Sequence, residues 1–222
     1  MIRENILRVK ERIIDTCRQC ARDPSLIKIV CVSKARSVEQ IREAVACGLL
    51  DLGENKIQEA ILKYSDQSLA VIDQLIWHMI GHLQSNKAKE AVKIFDLIHS
   101  VDSLKLVREI DKQAEKIGKL QELLLEVKTS PEETKSGFSI QEIPALTKEL
   151  NNFSNIKVRG LMTIAPLQAE GIKARPYFAA LRQLRDDLNP GWLLSMGMSD
   201  DFTAAIIEGA DILRLGRVIF DG

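Results

Sequence analysis

The apolar positions of the first twenty residues recur at helical spacing. Ile2, Ile6, Val9, Ile13, Cys17 and Cys20 fall on one stripe with Ile14 beside it, which predicts an amphipathic helix. The pattern then changes. Ile27-Lys28-Ile29-Val30-Cys31-Val32-Ser33 is short, β-branched and apolar, as a strand buried on both faces is. Ser37 is placed to cap a following helix that runs through Ile41, Ala44 and Val45 and stops at Gly48. The same rhythm repeats to the end of the chain. Strand-like pieces fall at 49–52, 76–80, 95–101, 120–127, 156–164, 193–198 and 211–215. Helical pieces lie between them at 58–64, 86–94, 104–117, 140–150, 172–188 and 200–208, with Ser85, Ser103 and Ser199 as expected N-caps.

Eight strands alternating with helices admit a closed barrel or an open doubly wound sheet. The count of eight and the absence of a GxGxxG turn after an early strand favour a (β/α)8 barrel of the TIM type. No linker or shift of composition interrupts the rhythm, so one domain over residues 1–222 is expected. That length is a little under the roughly 250 residues usual for the fold, which implies short loops and no inserted lid.

Charge narrows the possible partners. Lysine plus arginine and aspartate plus glutamate balance at 31 each, so no overall field draws the chain to nucleic acid or to a membrane. No apolar run approaches the roughly 18 residues needed to cross a bilayer, and Met1-Ile2-Arg3-Glu4-Asn5 carries no signal-peptide core, so a cytoplasmic location is expected. Four cysteines do not make a disulfide scaffold. Cys17 and Cys20 form one CxxC without a second pair or a nearby histidine, and buried thiols on a helix stripe fit them better than a zinc set.

In a barrel of this kind chemistry sits on the loops that follow the C-terminal ends of the strands. Those loops carry Ser33-Lys34, Gly53-Glu54-Asn55, Gly81-His82-Leu83-Gln84-Ser85-Asn86-Lys87, Met162-Thr163, Met198-Ser199-Asp200 and Arg214-Leu215-Gly216-Arg217. The last two match the place where barrels hold phosphate: Ser199 at a helix start offers a hydroxyl, and Gly216 lets backbone come close. The same residues also read as an ordinary cap and an ordinary turn. Lys34 is either the polar end of a strand or, in a partly dry mouth, an amine that attacks carbonyls. A reactive lysine facing a phosphate cradle suits a phosphorylated aldehyde. The three histidines, His78, His82 and His99, show no metal-ligand spacing.

Long blocks of this sequence resemble the pyridoxal phosphate homeostasis proteins, relatives of the alanine racemase barrel domain. They are Val32-Ser33-Lys34, Gly53-Glu54-Asn55, Trp77-His78-Met79-Ile80-Gly81-His82-Leu83-Gln84-Ser85-Asn86-Lys87, Lys135-Ser136-Gly137-Phe138, Val158-Arg159-Gly160-Leu161-Met162-Thr163, Ala174-Arg175-Pro176-Tyr177-Phe178 and Leu194-Ser195-Met196-Gly197-Met198-Ser199-Asp200-Asp201. The resemblance implies an alanine-racemase-like barrel that holds pyridoxal 5′-phosphate as a Schiff base on Lys34. By it Ser199 and Gly216 hold the phosphate, Arg214 faces the pyridine nitrogen, and Asn55, His82, Met162 and Ser195 line the cofactor. Arg217 departs from the family, which usually has serine or threonine there; a guanidinium can bind phosphate or point to solvent, and no role is assigned to it.

An arginine does not readily protonate a pyridine nitrogen, so the ring would be a weak electron sink. Racemisation also needs acid/base groups on both faces of the substrate carbon, and the two tyrosines, Tyr64 and Tyr177, fall on predicted helices. The expected function is therefore a non-catalytic carrier and regulator of intracellular pyridoxal phosphate. It would be a monomer, with dependent apoenzymes or a regulatory protein as partners. The alternatives are a racemase of low activity that uses Lys34 as one base, and a barrel enzyme for a sugar phosphate.

Overall fold

In the computed structural model, which describes residues 1–130 and 136–222, every strand pairing is parallel and the sheet closes on itself. The strands are β1 Lys28–Val32, β2 Asp51–Glu54, β3 Ile76–Met79, β4 Leu97–Val101, β5 Gln121–Lys128, β6 Phe138–Ser139, β7 Ile156–Met162, β8 Leu193–Ser195 and β9 Ile212–Leu215. Eight of them form the ring β1-β2-β3-β4-β5-β7-β8-β9, closed by β9 against β1, and the two-residue β6 extends the end of β5. This is a (β/α)8 barrel, as the alternation of strand and helix implied.

The helices are α1 Ile2–Gln19, α2 Val38–Ala46, α3 Ile57–Tyr64, α4 Gln67–Ala70, α5 Ala88–Ile94, α6 Leu104–Glu115, α7 Ile143–Leu150, α8 Arg175–Leu188, α9 Phe202–Ile207 and α10 Arg217–Phe220. The last strand is followed only by the single turn of α10. The ring of helices is completed by α1, which packs against α2, α9 and α10. The outer layer beside β9 and β1 is thus closed by a helix that precedes the first strand. Among the described residues no helix is long and apolar enough to cross a membrane.

Alternation along each strand divides the core in two. Cys31, Leu52, Trp77, Met79, Ile98, Leu123, Leu125, Leu161, Leu194, Leu213 and Leu215 pack outward against the helices. Their neighbours Val30, Val32, Ile80, Leu97, Leu124, Met162 and Ile212 fill the lumen. The lumen is tight: a Cβ on Gly53 would lie 2.7 Å from Val30 Cγ1 and 3.1 Å from Ile80 Cδ1. Burying both faces is what lets these strands read as continuous apolar runs.

Ser37 caps α2 in a reciprocal box with Gln40, and Ser103 caps α6 by accepting from Leu106 N–H at 3.3 Å. Two other caps need correcting. Ser85 opens a 3-10 turn, Ser85–Lys87, ahead of α5, and Lys87 takes the cap position there without a side-chain bond. Ser199 does not cap α9, which begins at Phe202 after Asp201. Asp201 instead accepts from Met198 N–H at 2.6 Å, folding the segment into a turn that delays the helix. Ile14 is also off the buried stripe of α1, being 41% exposed. Cys17 is fully buried on that stripe, and all four cysteines are free thiols.

Candidate functional site

The C-terminal ends of the strands form a mouth whose floor is the top of the lumen. Lys34 stands exposed on the turn after β1, followed by Ala35 in the left-handed region at φ 55°. The peptide before it is tied from below. Ser33 Oγ donates to Glu54 Oε1 at 2.5 Å, and Lys63 Nζ donates to Glu54 Oε1 at 2.5 Å and to the Ser33 carbonyl at 2.6 Å. Glu54 and Lys63 are both buried, and burial pushes the Glu54 carboxyl above the usual range despite the bonds it accepts.

Asn55 follows β2, half-buried, and its main chain passes directly under Gly81. A Cβ at position 81 would sit 2.3 Å from the Asn55 carbonyl oxygen, so only glycine admits this crossing. Asn55, Ile80, His82, Glu126, Lys128 and Ile164 line a cavity of about 250 Å³ in the mouth. His82 is largely exposed and pairs with Asp102 at 3.0 Å. Glu126 faces the mouth from β5. Burial and the neighbouring Asp102 push its carboxyl upward, against the pull of Arg214 and His82.

Arg214, on the lumen side of β9, is 4% exposed. Its Nη1 donates to Ser195 Oγ at 2.7 Å and its Nη2 to the Thr163 carbonyl at 2.9 Å. Burial brings its pKa down to about 10, opposed by the charges of Asp201 and Glu126. Neither carboxylate makes a direct ion pair with it among the described residues. Ser195 is fully buried beneath Arg214, and Met162 is fully buried in the apolar floor with Val32 and Ile80.

The loops after β8 and β9 meet where Ser199 Oγ accepts from Val218 N–H at 3.3 Å, at the start of α10. Gly216 is pressed onto β1: a Cβ there would stand 3.2 Å from Val32 Cβ and 3.3 Å from the Val32 carbonyl. Its lack of a side chain serves that packing, two residues before Lys34. Arg217 turns away to pair with Asp200 at the surface. Lys135 of the Lys-Ser-Gly-Phe block lies outside the described residues, while Ser136 borders the mouth cavity.

The structure thus gathers Asn55 and His82 around one cavity and puts Met162, Ser195 and Arg214 below it. Ser199 and Gly216 are joined on the last two loops. Sequence reasoning gave no role to Glu126, Thr163, His99 or the Glu54–Lys63 pair. Strand parity was the available signal for Glu126 and His99, since Leu124 and Leu97, two positions earlier, fill the lumen.

Residues 3–222 match the family described as alanine racemase, N-terminal domain. The chain is 42% identical over 222 residues to the pyridoxal phosphate homeostasis protein of Aquifex aeolicus, covering 98% of this chain and 96% of that one. It is 41% identical to the protein of the same name from Pseudomonas aeruginosa, covering 99% and 94%. Among solved structures, PipY of Synechococcus elongatus with PLP bound superposes with a TM-score of 0.84 at 35% identity, covering 99% of this chain and 100% of that one. Alanine racemase of Clostridium difficile shares the fold, with a TM-score of 0.70 at 17% identity over 98% of this chain and 56% of the racemase.

Proposed function

The chain belongs to the alanine racemase N-terminal domain family and, within it, to the pyridoxal phosphate homeostasis proteins, and on that premise we propose that it holds pyridoxal 5′-phosphate as a Schiff base on Lys34. Its role is to carry the cofactor and regulate its intracellular supply, without strong catalysis. It acts as a monomer, with dependent apoenzymes or a regulatory protein as partners.

The observation that carries this reading is Arg214. A buried guanidinium commits one N–H each to Ser195 and the Thr163 carbonyl and keeps further N–H donors for a ring nitrogen. Bound there, pyridoxal phosphate supplies an aldehyde and, when its ring is protonated, an electron sink. Arginine stays protonated and donates without giving its proton up, which keeps the ring a weak sink. Lys34 offers the amine, and Val32, Ile80 and Met162 offer an apolar floor for a flat ring. The Ser199 hydroxyl and the amides opening α10 suit a phosphate. Replacing Ser199 by alanine is expected to weaken retention of pyridoxal phosphate by about 1–2 kcal/mol, the scale of one hydrogen bond to a charged group. Retention of unphosphorylated pyridoxal should hardly change in an equilibrium dialysis of both. Equal affinity for the two compounds in the unaltered protein would rule out a phosphate cradle.

Glu126 favours a second reading, a racemase of low activity. A mouth carboxyl held above its usual range by burial is the kind of group that serves as a general acid. Incubation of the loaded protein with L- or D-alanine in heavy water separates the two. A carrier should exchange the α-proton no faster than its Lys34→Ala variant. Rapid exchange that depends on both Lys34 and Glu126 would establish the racemase instead.

A further inference from the structure

A line of hydrogen bonds leaves Arg214 and runs through the lumen to the other end of the barrel. Arg214 Nη1 lies 2.7 Å from Ser195 Oγ, and Ser195 Oγ lies 2.9 Å from His99 Nδ1. His99 Nε2 is 2.9 Å from His78 Nδ1, and His78 Nε2 is 2.9 Å from Asp51 Oδ1. Asp51 opens β2 at the N-terminal mouth and takes a further bond from Lys28 Nζ at 2.9 Å. Ser195 and His99 are fully buried and His78 nearly so, whereas the Asp51 side chain keeps 16% of its exposure.

With both imidazoles neutral, the two ends set the direction of every link between them. Arginine can only donate and an ionised carboxylate can only accept. Asp51 takes the His78 Nε2 proton, so His78 Nδ1 accepts from His99 Nε2, and Ser195 Oγ, which accepts from Arg214, gives its own proton to His99 Nδ1. His99 therefore carries hydrogen on Nε2 and gives it to His78 Nδ1. His78 in turn carries hydrogen on Nε2 and gives it to Asp51. Each of these ring nitrogens is then used once.

Full burial holds the His99 imidazole well below its ordinary pKa, and the cations Arg214 and Lys28 add to this. Burial alone would raise Asp51, but the bonds from His78 and Lys28 outweigh it and keep the carboxyl below its usual range. Satisfying buried polar groups would be reason enough for isolated pairs in a core. A one-way line that joins a buried cation under the mouth to a carboxylate at the opposite mouth does more than that. It polarises each donor toward Asp51.

We propose that Asp51 is a positioning residue for the cofactor site, acting through His78, His99 and Ser195 to hold Arg214 as a fixed donor and so to set the electronic state of the bound ring. This rests on the pyridoxal phosphate reading above. No proton needs to travel. Neutralising Asp51 loosens the pull on the Arg214–Ser195 bond and leaves a stronger donor for the ring nitrogen.

Two measurements test this, and the first needs no cofactor. In histidine-labelled protein without added ligand, ¹⁵N spectra should show His78 and His99 both neutral and both protonated on Nε2. There are three histidines, and His82→Gln removes the exposed one for assignment. An Nδ1-protonated or charged ring at either buried position would overturn the proposal. The second uses pyridoxal phosphate labelled at its ring nitrogen. Asp51→Asn, nearly isosteric and partly exposed, should move that resonance toward the position of a protonated pyridine. In a Ser195→Ala background the same change should move it by less than half as much. An equal shift in both backgrounds would mean that the Asp51 charge acts through space alone, and would sink the proposal. Correct histidine tautomers in a protein that takes up no pyridoxal phosphate would overturn the functional reading instead, and the role of Asp51 with it.

Discussion

Replacing Lys34 with alanine is expected to abolish the borohydride-fixed pyridoxyl group that the unaltered protein should carry on the peptide containing this residue. A lysine reacts with an aldehyde as the neutral amine, releasing water as the carbon–nitrogen double bond forms, and borohydride reduces that bond to a stable one. Of the lysines near the mouth, Lys63 is buried and locked to Glu54 and the Ser33 carbonyl, so it cannot present its amine. Lys128 borders the mouth cavity and is a rival. Lys34 is exposed on a turn that Ser33 anchors from beneath, two residues after the Val32 against which Gly216 packs. Loading with pyridoxal phosphate, reduction and mass mapping of the peptides should therefore place the adduct at position 34. The variant should lose it together with the visible absorption band. A full-occupancy adduct that persists on Lys128 in Lys34→Ala would show that the wrong lysine had been chosen.

The barrel was legible because burying both faces of a parallel strand leaves a plain trace. Runs such as 29–32 and 123–125 are short and apolar, and strand-like pieces separate helical stripes eight times over. Ser37 and Ser103 were legible for a local reason, a hydroxyl three residues before the amide it accepts from. Ser199 has the same local look, yet Asp201 competes for the segment by accepting from Met198 N–H, and the hydroxyl turns to Val218 nineteen residues on. No local pattern predicts that partner. Nor does any reveal that His78 and His99 touch. Their strands are neighbours, paired at His78 with Leu97, but the rings meet only because both positions face a closed lumen. Once a barrel is inferred, parity along β4 and β5 marks His99 and Glu126 as inward. Spacing between histidines carries no such information. The Glu54–Lys63 pair was hidden for the opposite reason: Lys63, on a helix surface by pattern, reaches inward to the end of β2.

That pair supports the second large effect, an expected loss of about 3–5 kcal/mol of stability on changing Lys63 to methionine at pH 8, the usual cost of stranding one member of a buried ion pair. Glu54 is fully buried, and its Oε2 has no partner among the described residues. Its Oε1 depends on Lys63 and Ser33 for the bonds that offset its lost hydration. Burial already raises the Glu54 carboxyl, and removing the ammonium raises it further. The sign of the pH effect follows. A carboxyl whose pKa is higher in the folded state binds its proton more readily there than in the unfolded chain. It therefore costs least at low pH, and the cost grows as pH rises through the folded value. Urea unfolding should show the Lys63→Met deficit shrinking between pH 8 and pH 5, and a second change, Glu54→Gln, should recover most of it at pH 8. A deficit below about 1 kcal/mol, the range of exposed pairs, or one that does not vary with pH, would mean that the carboxylate is hydrated or otherwise compensated. The same variant releases the Ser33 carbonyl that Lys63 holds at 2.6 Å, so even a folded Lys63→Met protein should fix less pyridoxyl group on Lys34. Glu54→Gln alone keeps an acceptor for Ser33 and leaves that carbonyl held, and should spare the adduct.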